Sequence, residues 1–364
     1  GQKRGSQQQL IIDHFSQGKG QPPTKVSRKS SDGMDGNVPE ATAADATVCS
    51  TPAHGLEPTQ SMQIKSATLF KDDVHGIIDL PPLLMAIVDT APFQRLRFCN
   101  QLGTAHHVFQ SATHTRFQHS IGVAWLAKLL MKQIQEKQEG LPISKKDILC
   151  VMLAGLCHDL GHGPFSHQYE MVLHAVIKEL PDGDLKERLK RWTHEDMSVA
   201  MMHYAIRLGN VDVSLPQYGG LDEQDMLFVK ELIVGKELAH GTEGNRKYKM
   251  RRGRGPEKAW MYDIVNNVDS GFDVDKRDYL ERDSKALLGD SYKNFESITA
   301  SARVCKVHGL QDWHAETDDN YRLALAYCED VASACADFFK RRFDCHRNFY
   351  QHPCVCGHDQ IVAD

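Results

Sequence analysis

Two ionisable residues, His158 and Asp159, follow an apolar run in the segment DILCVMLAGLCHDLGHGPFSH. The helix predicted for this run is apolar on every face, so the pair arrives at the end of a buried helix. Burying a carboxylate beside an imidazole is costly unless both are paired, hydrogen-bonded or bound to a cation, and a metal supplies the compensating charge. Gly161 and Gly163 permit a close turn that projects His162 and His167 into the same neighbourhood. Two further fragments carry ionisable groups. ATHTRFQHSIG sets His119 at the start of a helix continuing through Ile121, Trp125 and Leu129. GFDVDKRDYLERD sets Asp275, Tyr279 and Asp283 on one helical face, with Lys276 beside them. Taken singly, such a charged stripe ordinarily faces solvent, and a histidine at a helix start ordinarily serves structure.

The elements that must position these groups are mainly helical. The chain has 364 residues, 41% hydrophobic and 25% charged, with 43 Lys plus Arg against 48 Asp plus Glu. A net charge of -5 predicts neither general nucleic-acid adhesion nor attraction to a membrane surface. No apolar run reaches the roughly 18 residues needed to span a bilayer, so we expect a soluble, intracellular protein without membrane contact. Ten cysteines are too dilute for a disulfide scaffold. Residues 1–66 hold one aromatic, Phe15, among many small and polar residues, and predict a disordered tail. A single body follows over 67–353, with an irregular end at 354–364. DDVHGIIDL suits a β-hairpin, and helices are expected at 83–89, 120–137, 147–158, 222–234, 257–268, 273–287 and 321–349. Asp222 and Gly235 suit the cap and stop of the fourth of these. Between Arg246 and Lys258 lies a loop rich in Lys and Arg. It reads as a solvated loop or as a phosphate-binding one, with single-stranded nucleic acid among the partners it would suit. Cys354 and Cys356, flanked by His352 and His358, form a zinc pattern of unusual spacing.

The order HTRFQHS, CHDLGHGPFSH, DVDKRDYLERD resembles the HD superfamily of metal-dependent phosphohydrolases. Within it the resemblance is to the animal deoxynucleoside triphosphate triphosphohydrolases that join a sterile-alpha-motif domain to an HD domain. DTAPFQRLRFCNQLG, WTHE, ARVC and CHRNFYQH agree with that family, and the match covers roughly 69–352. The resemblance implies an HD-domain helical fold and hydrolysis of deoxynucleoside triphosphates to deoxynucleoside and inorganic triphosphate, which would control the size of the nucleotide pool. It implies a divalent metal (Fe, Mn, Mg or Zn) held by His119, His158, Asp159 and Asp275. His167, with His162 and His194 nearby, would protonate the leaving 5′-oxygen. Arg116, Lys276 and Arg342 would neutralise the triphosphate. Tyr279 would lie against the sugar, Asp283 and Gln101 would hold the 3′-hydroxyl, and Leu102 and Tyr350 would border the base. The competing reading is a catalytically impaired form that binds nucleotides or nucleic acid.

The resemblance also implies regulation by GTP and deoxynucleotides bound between subunits of a dimer or tetramer, with Asp89, Gln94 and Arg97 reading the guanine edge. Thr68, Ser297 and Pro353 replace basic residues of that family. The sterile-alpha-motif domain and the C-terminal lobe have no counterpart in the sequence, and weakened assembly is the resulting expectation. In the tail, Gln8, Ile11, His14 and Phe15 fit Qxxhxxaa over 8–15. This pattern resembles the peptide that docks on the DNA sliding clamp as one helical turn. Basic clusters at Lys3-Arg4 and at Lys25, Arg28 and Lys29 suit nuclear import, which places the protein in the nucleus, with the cytoplasm as a second compartment.

Overall fold

In the computed structural model, residues 68–235, 251–290, 295–308 and 321–363 are described. The tail with its clamp pattern, and Arg246, Lys247 and Lys249 of the basic loop, lie outside the described residues. Strands β1 (Thr68–Asp72) and β2 (Gly76–Leu80) form an antiparallel hairpin, with Thr68 paired to Leu80 and Asp72 to Gly76. There follow α1 (Pro82–Val88), α2 (Ala91–Gln94), α3 (Arg116–Lys137), α4 (Lys145–Cys157), α5 (His167–Glu179), α6 (Asp184–Leu189), α7 (His194–Leu208) and α8 (Glu223–Val234). The chain continues through α9 (Val274–Leu288) and α10 (Phe295–Ser301), then the hairpin β3 (Arg303–His308) and β4 (Tyr321–Ala326). It ends with α11 (Ala332–Cys345) and α12 (Pro353–Ala363). No described helix is long and apolar enough to cross a membrane. The nine cysteines among the described residues are all free.

Helix α4 lies in the core because Cys150 through Cys157 are all buried. Each large apolar side chain withdrawn from water there contributes roughly 1.5–3 kcal/mol. The helix begins at Ser144, whose hydroxyl accepts from the Asp147 N–H at 3.1 Å while Asp147 Oδ2 accepts from the Ser144 N–H at 2.9 Å. Its main neighbour is α3, which packs Val123 and Ala124 against Gly155. Helix α9 crosses α3 and starts at Asp273, whose Oδ1 accepts from the Lys276 N–H at 2.8 Å. Asp222 caps α8 as the sequence predicts, accepting from the Asp225 N–H at 2.9 Å.

Four expectations are corrected. Residues 321–326 (YRLALA) are a strand, because alternate side chains face the interior and pair with β3 in register. The helix begins only at Ala332. Residues 256–263 form 3₁₀ turns rather than an α-helix, with Pro256 at their start. The C-terminal residues expected to be irregular form α12, whose Val355 is buried with Ala105 and Ala112. On α12, Cys354 and Cys356 are both exposed. The described part of the basic loop is turned inward: Arg251 is buried, and Arg254 bonds Asp147 Oδ1 and Asp225 Oδ1, each at 2.6 Å.

Candidate metal centre and adjoining cavity

His119 sits one turn inside α3, and His158 and Asp159 follow α4 directly. Asp275 lies in the first turn of α9. These three elements bring four donor atoms together. His119 Nε2 lies 3.3 Å from Asp159 Oδ2 and 3.1 Å from Asp275 Oδ1, and His158 Nε2 lies 3.5 and 3.4 Å from the same two oxygens. The opposite ring nitrogens are committed elsewhere. His119 Nδ1 donates to Asp278 Oδ2 at 2.8 Å, and His158 Nδ1 to the Gly155 carbonyl at 2.8 Å. Both Nε2 atoms are buried without a hydrogen-bond partner. Two imidazole nitrogens facing two carboxylates form a donor set that fits a divalent cation such as Fe, Mn or Zn.

Electrostatics agree with that fit. Burial alone would lower the pKa of His119, but the carboxylates of Asp159, Asp275 and Asp278 beside it raise it well above the ordinary value. Burial likewise opposes ionisation of Asp159, and Arg116 with the surrounding histidines holds its pKa well below the usual carboxylate range. The cluster is therefore built to hold positive charge. Arg116 Nη1 donates to Asp159 Oδ2, and Arg116 Nε donates to Ser166 Oγ at 2.8 Å. Ser166 and its neighbour Phe165 have φ of 57° and 63°, a left-handed conformation that costs about 1–3 kcal/mol per residue and recurs at functional sites.

Beside these donors stand three histidines. His162 is buried with both ring nitrogens unpartnered, and its pKa is held down to about 3 by burial and by Arg116. Its ring stacks on His194 with centroids 4.2 Å apart, and His167 stands edge-on to it at 4.8 Å. His194 opens α7, where Thr193 Oγ1 accepts from the Asp196 N–H at 3.1 Å. The close approach needs Gly161, since a Cβ there would fall 2.2 Å from the His194 carbonyl oxygen. His194 Nδ1 donates to Glu170 Oε1 at 2.5 Å. Burial lowers the His194 pKa, but Glu170, Glu195 and Asp159 outweigh it and the pKa rises.

Two cavities adjoin. One of about 170 Å³ is lined by His158, Asp159, His162, His194 and Asp275. A larger one of about 330 Å³ is lined by Leu102, Asp283, Arg342 and Tyr350, and by Val355 and Asp359 of α12. Gln101, Arg116, His167 and Tyr279 line both, so a donor cluster opens into a space of the size small ligands occupy. Asp283 accepts from His114 Nε2 at 2.6 Å and from Tyr350 Oη at 2.5 Å, and Arg342 Nε donates to Tyr279 Oη at 3.1 Å.

Of the residues singled out in the sequence, Lys276 stands apart: it borders neither cavity and pairs with Asp273 at 2.6 Å. Asp89, Gln94 and Arg97 also lie outside both cavities, at the surface beyond α1. Gln94 Oε1 accepts from Arg97 Nε at 2.7 Å, and that guanidinium lies 3.6 Å over the Phe117 ring. Sequence reasoning misses Asp278, Ser166, Glu170, His114 and Asp359. Asp278 carries a signal as the next acidic residue after Asp275 on α9, and His114 and Ser166 stand inside HTRFQHS and CHDLGHGPFSH.

Residues 116–203 of this helical scaffold, which carry the adjacent His-Asp pair, match the HD domain family model. The span includes Arg116, His119, His158, Asp159, His162, His167 and His194. The chain is similar to the deoxynucleoside triphosphate triphosphohydrolase SAMHD1 of Mus musculus, 37% identical over 312 residues, or 85% of this chain and 45% of that protein. Its identity to the Homo sapiens protein is 39% over 303 residues, 83% and 45% of the two chains. A Dictyostelium discoideum homologue is 34% identical over 300 residues, 82% and 49% of the two chains. The chain thus spans about half the length of these relatives.

Proposed function

We propose that this chain hydrolyses deoxynucleoside triphosphates to deoxynucleoside and inorganic triphosphate at a divalent metal held by His119, His158, Asp159 and Asp275. The observation that carries this reading is the convergence of four metal donors at a cavity of about 170 Å³ that adjoins one of about 330 Å³, together with similarity to proteins of that named activity. A divalent cation bound there would polarise a phosphoryl oxygen and lower the pKa of a water. Arg116 and Arg342 approach the cavity as fixed cations suited to the triphosphate. Tyr279, held by Arg342, stacks against the deoxyribose, where a 2′-hydroxyl would clash. Asp283 and Gln101 take the 3′-hydroxyl, and Leu102 and Tyr350 flank the base. His194 and His167 supply the proton that the leaving 5′-oxygen requires, with Glu170 holding His194 protonated.

The test is chromatography of products from dGTP and Mn²⁺ with the wild type and Asp159→Ala. Deoxyguanosine and triphosphate from the wild type alone are expected. A nucleoside diphosphate as first product, or equal turnover by both proteins, would overturn the reading.

We further infer a regulatory nucleotide site at Asp89, Gln94 and Arg97 and a clamp-docking peptide at Gln8, Ile11, His14 and Phe15, which would bring the activity to nuclear DNA synthesis. Surface clustering of the first set supports one, and residue pattern supports the other. Calorimetry of a peptide of residues 1–20 against the clamp should give micromolar affinity, about -8 kcal/mol. Unchanged binding by Ile11→Ala, Phe15→Ala would remove that inference.

A further inference from the structure

We infer that His75, in the turn of the first hairpin, is a positioning residue for the metal centre, acting through Asp278 on the ring of His119; the inference rests on the metal reading above.

The turn is fastened to α9. Asp72 Oδ1 accepts from the backbone N–H groups of Val74 and His75, each at 2.9 Å, and Asp72 Oδ2 accepts from Arg282 Nη1 at 3.0 Å. Lys285 Nζ donates to the Asp73 carbonyl. The side chain of His75 is thereby carried inward until only 6% of it is exposed. There Nε2 donates to Asp278 Oδ1 at 2.6 Å, while Nδ1 lies 3.6 Å from Glu281 Oε2. Asp278 is fully buried, and its other oxygen accepts from His119 Nδ1 at 2.8 Å. An unbroken chain of side chains therefore runs from the hairpin turn to the donor cluster.

Charge balance does not require His75. Arg282 already neutralises Asp278, with Nε 3.0 Å from Oδ2 and Nη2 2.9 Å from Oδ1. Arg282 also grips Asp72, so docking of the hairpin does not require the imidazole either. What His75 adds is direction. With Oδ1 engaged from the hairpin side and Arg282 along the carboxylate edge, the carboxylate plane is fixed and Oδ2 is aimed at His119 Nδ1. That bond keeps a proton on Nδ1 and leaves Nε2 as the nitrogen turned toward Asp159 and Asp275, where a cation would be held. Partners that fix the tautomer and orientation of a ligating histidine typically change metal affinity 10–100-fold when removed.

The experiment is titration of the metal-stripped full chain with Mn²⁺ by calorimetry, with melting of the metal-free proteins alongside. His75→Ala is expected to weaken Mn²⁺ binding by roughly 10–100-fold, and His75→Gln, which retains a donor, to restore it to within a few-fold of wild type. A purely structural role would shift the metal-free melt of both variants and leave the affinity of the folded protein unchanged, which overturns the inference. Equal weakening by Ala and Gln overturns it too. If His75→Ala does not fold, His75→Met, which fills the space without a donor, replaces it in the comparison with Gln. Wild-type protein that takes up no Mn²⁺ overturns the metal reading and the inference together, whereas normal wild-type binding with an unaffected variant overturns the inference alone.

Discussion

The two histidines of the donor cluster are each fixed through the ring nitrogen that faces away from it. His194 is the clearest case outside the donor set, because its Nδ1 hydrogen bond to Glu170 and the charges of Glu195 and Asp159 raise its pKa against the pull of burial. A group that must donate a proton loses function as pH climbs through its pKa, so a raised pKa keeps activity into the alkaline range. Glu170→Gln should therefore move the alkaline limb of the kcat profile to lower pH and reduce kcat at pH 8 about tenfold. A profile from pH 5.5 to 9.5 that superimposes on wild type would remove His194 from the proton-donating role. At this scale the sequence is legible where a residue is out of place in its own segment. His158 and Asp159 declare themselves by following an apolar helix. Glu170 does not, because it is an ordinary polar residue until the fold brings His194 to it from 24 positions away. Although His114 and Ser166 stand inside HTRFQHS and CHDLGHGPFSH, those runs do not tell that they bind Asp283 and Arg116.

The elements are held at the separations the site needs by two devices. The first is Gly122 on α3, where a Cβ would fall 1.9 Å from Asp278 Oδ1 and 2.6 Å from Arg282 Nη2. Asp278 is short and bound on both oxygens, so it cannot move aside. Gly122→Ala should destabilise the protein by about 1–3 kcal/mol and lower its metal content, read by urea unfolding and elemental analysis; a variant with wild-type stability and metal would contradict this packing. The second is Asp147, buried at the start of α4, which binds Arg254 Nε at 2.6 Å and Lys258 Nζ at 2.7 Å. Burial opposes its ionisation, yet Lys258, Ser144 and Arg254 leave its pKa lowered. A lowered folded pKa gives stability that is complete above the unfolded value of about 3.9 and is lost as pH falls through the folded one. Asp147→Asn should thus cost about 3 kcal/mol near neutrality, with the gap to wild type narrowing below about pH 4. A pH-independent gap would show that the carboxylate's charge is not what ties α4 to the basic loop.

That loop also shows why element-level reading from sequence has limits. Arg251, Arg252 and Arg254 look like a solvated run, yet Arg254 has buried carboxylates waiting on α4 and α8. Likewise YRLALA joins a run of helix-forming residues, but pairing with β3 turns its alternation into a strand. CVCGHDQIVA has no clean helical period, and α12 is stabilised by tertiary contacts, with Val355 buried beside Ala105 and Thr104 Oγ1 donating to Asp359.

For the whole molecule, the mainly helical body, the first hairpin, and the order of His119, His158, Asp159 and Asp275 along the chain follow from sequence pattern and resemblance. The join between the donor cluster and the larger cavity does not, because Gln101, Arg116, His167 and Tyr279 reach it from four separate stretches of chain. Asp359 of α12 borders the larger cavity, so the proposed function would give the C-terminal helix a place in substrate binding. Asp359→Ala should change KM for deoxynucleotides several-fold with little change in kcat, and steady-state kinetics across the four substrates would show it; a fall in kcat alone would contradict a binding role. The proposed reaction yields deoxynucleoside and triphosphate if water attacks the α-phosphorus and the 5′-oxygen leaves with the nucleoside. Its most direct test is ³¹P NMR of dGTP hydrolysis by the Mn²⁺-loaded protein in ¹⁸O-enriched water. The account predicts inorganic triphosphate as the only phosphorus product, with ¹⁸O on a terminal phosphorus; label in orthophosphate or pyrophosphate, or none in triphosphate, would contradict it.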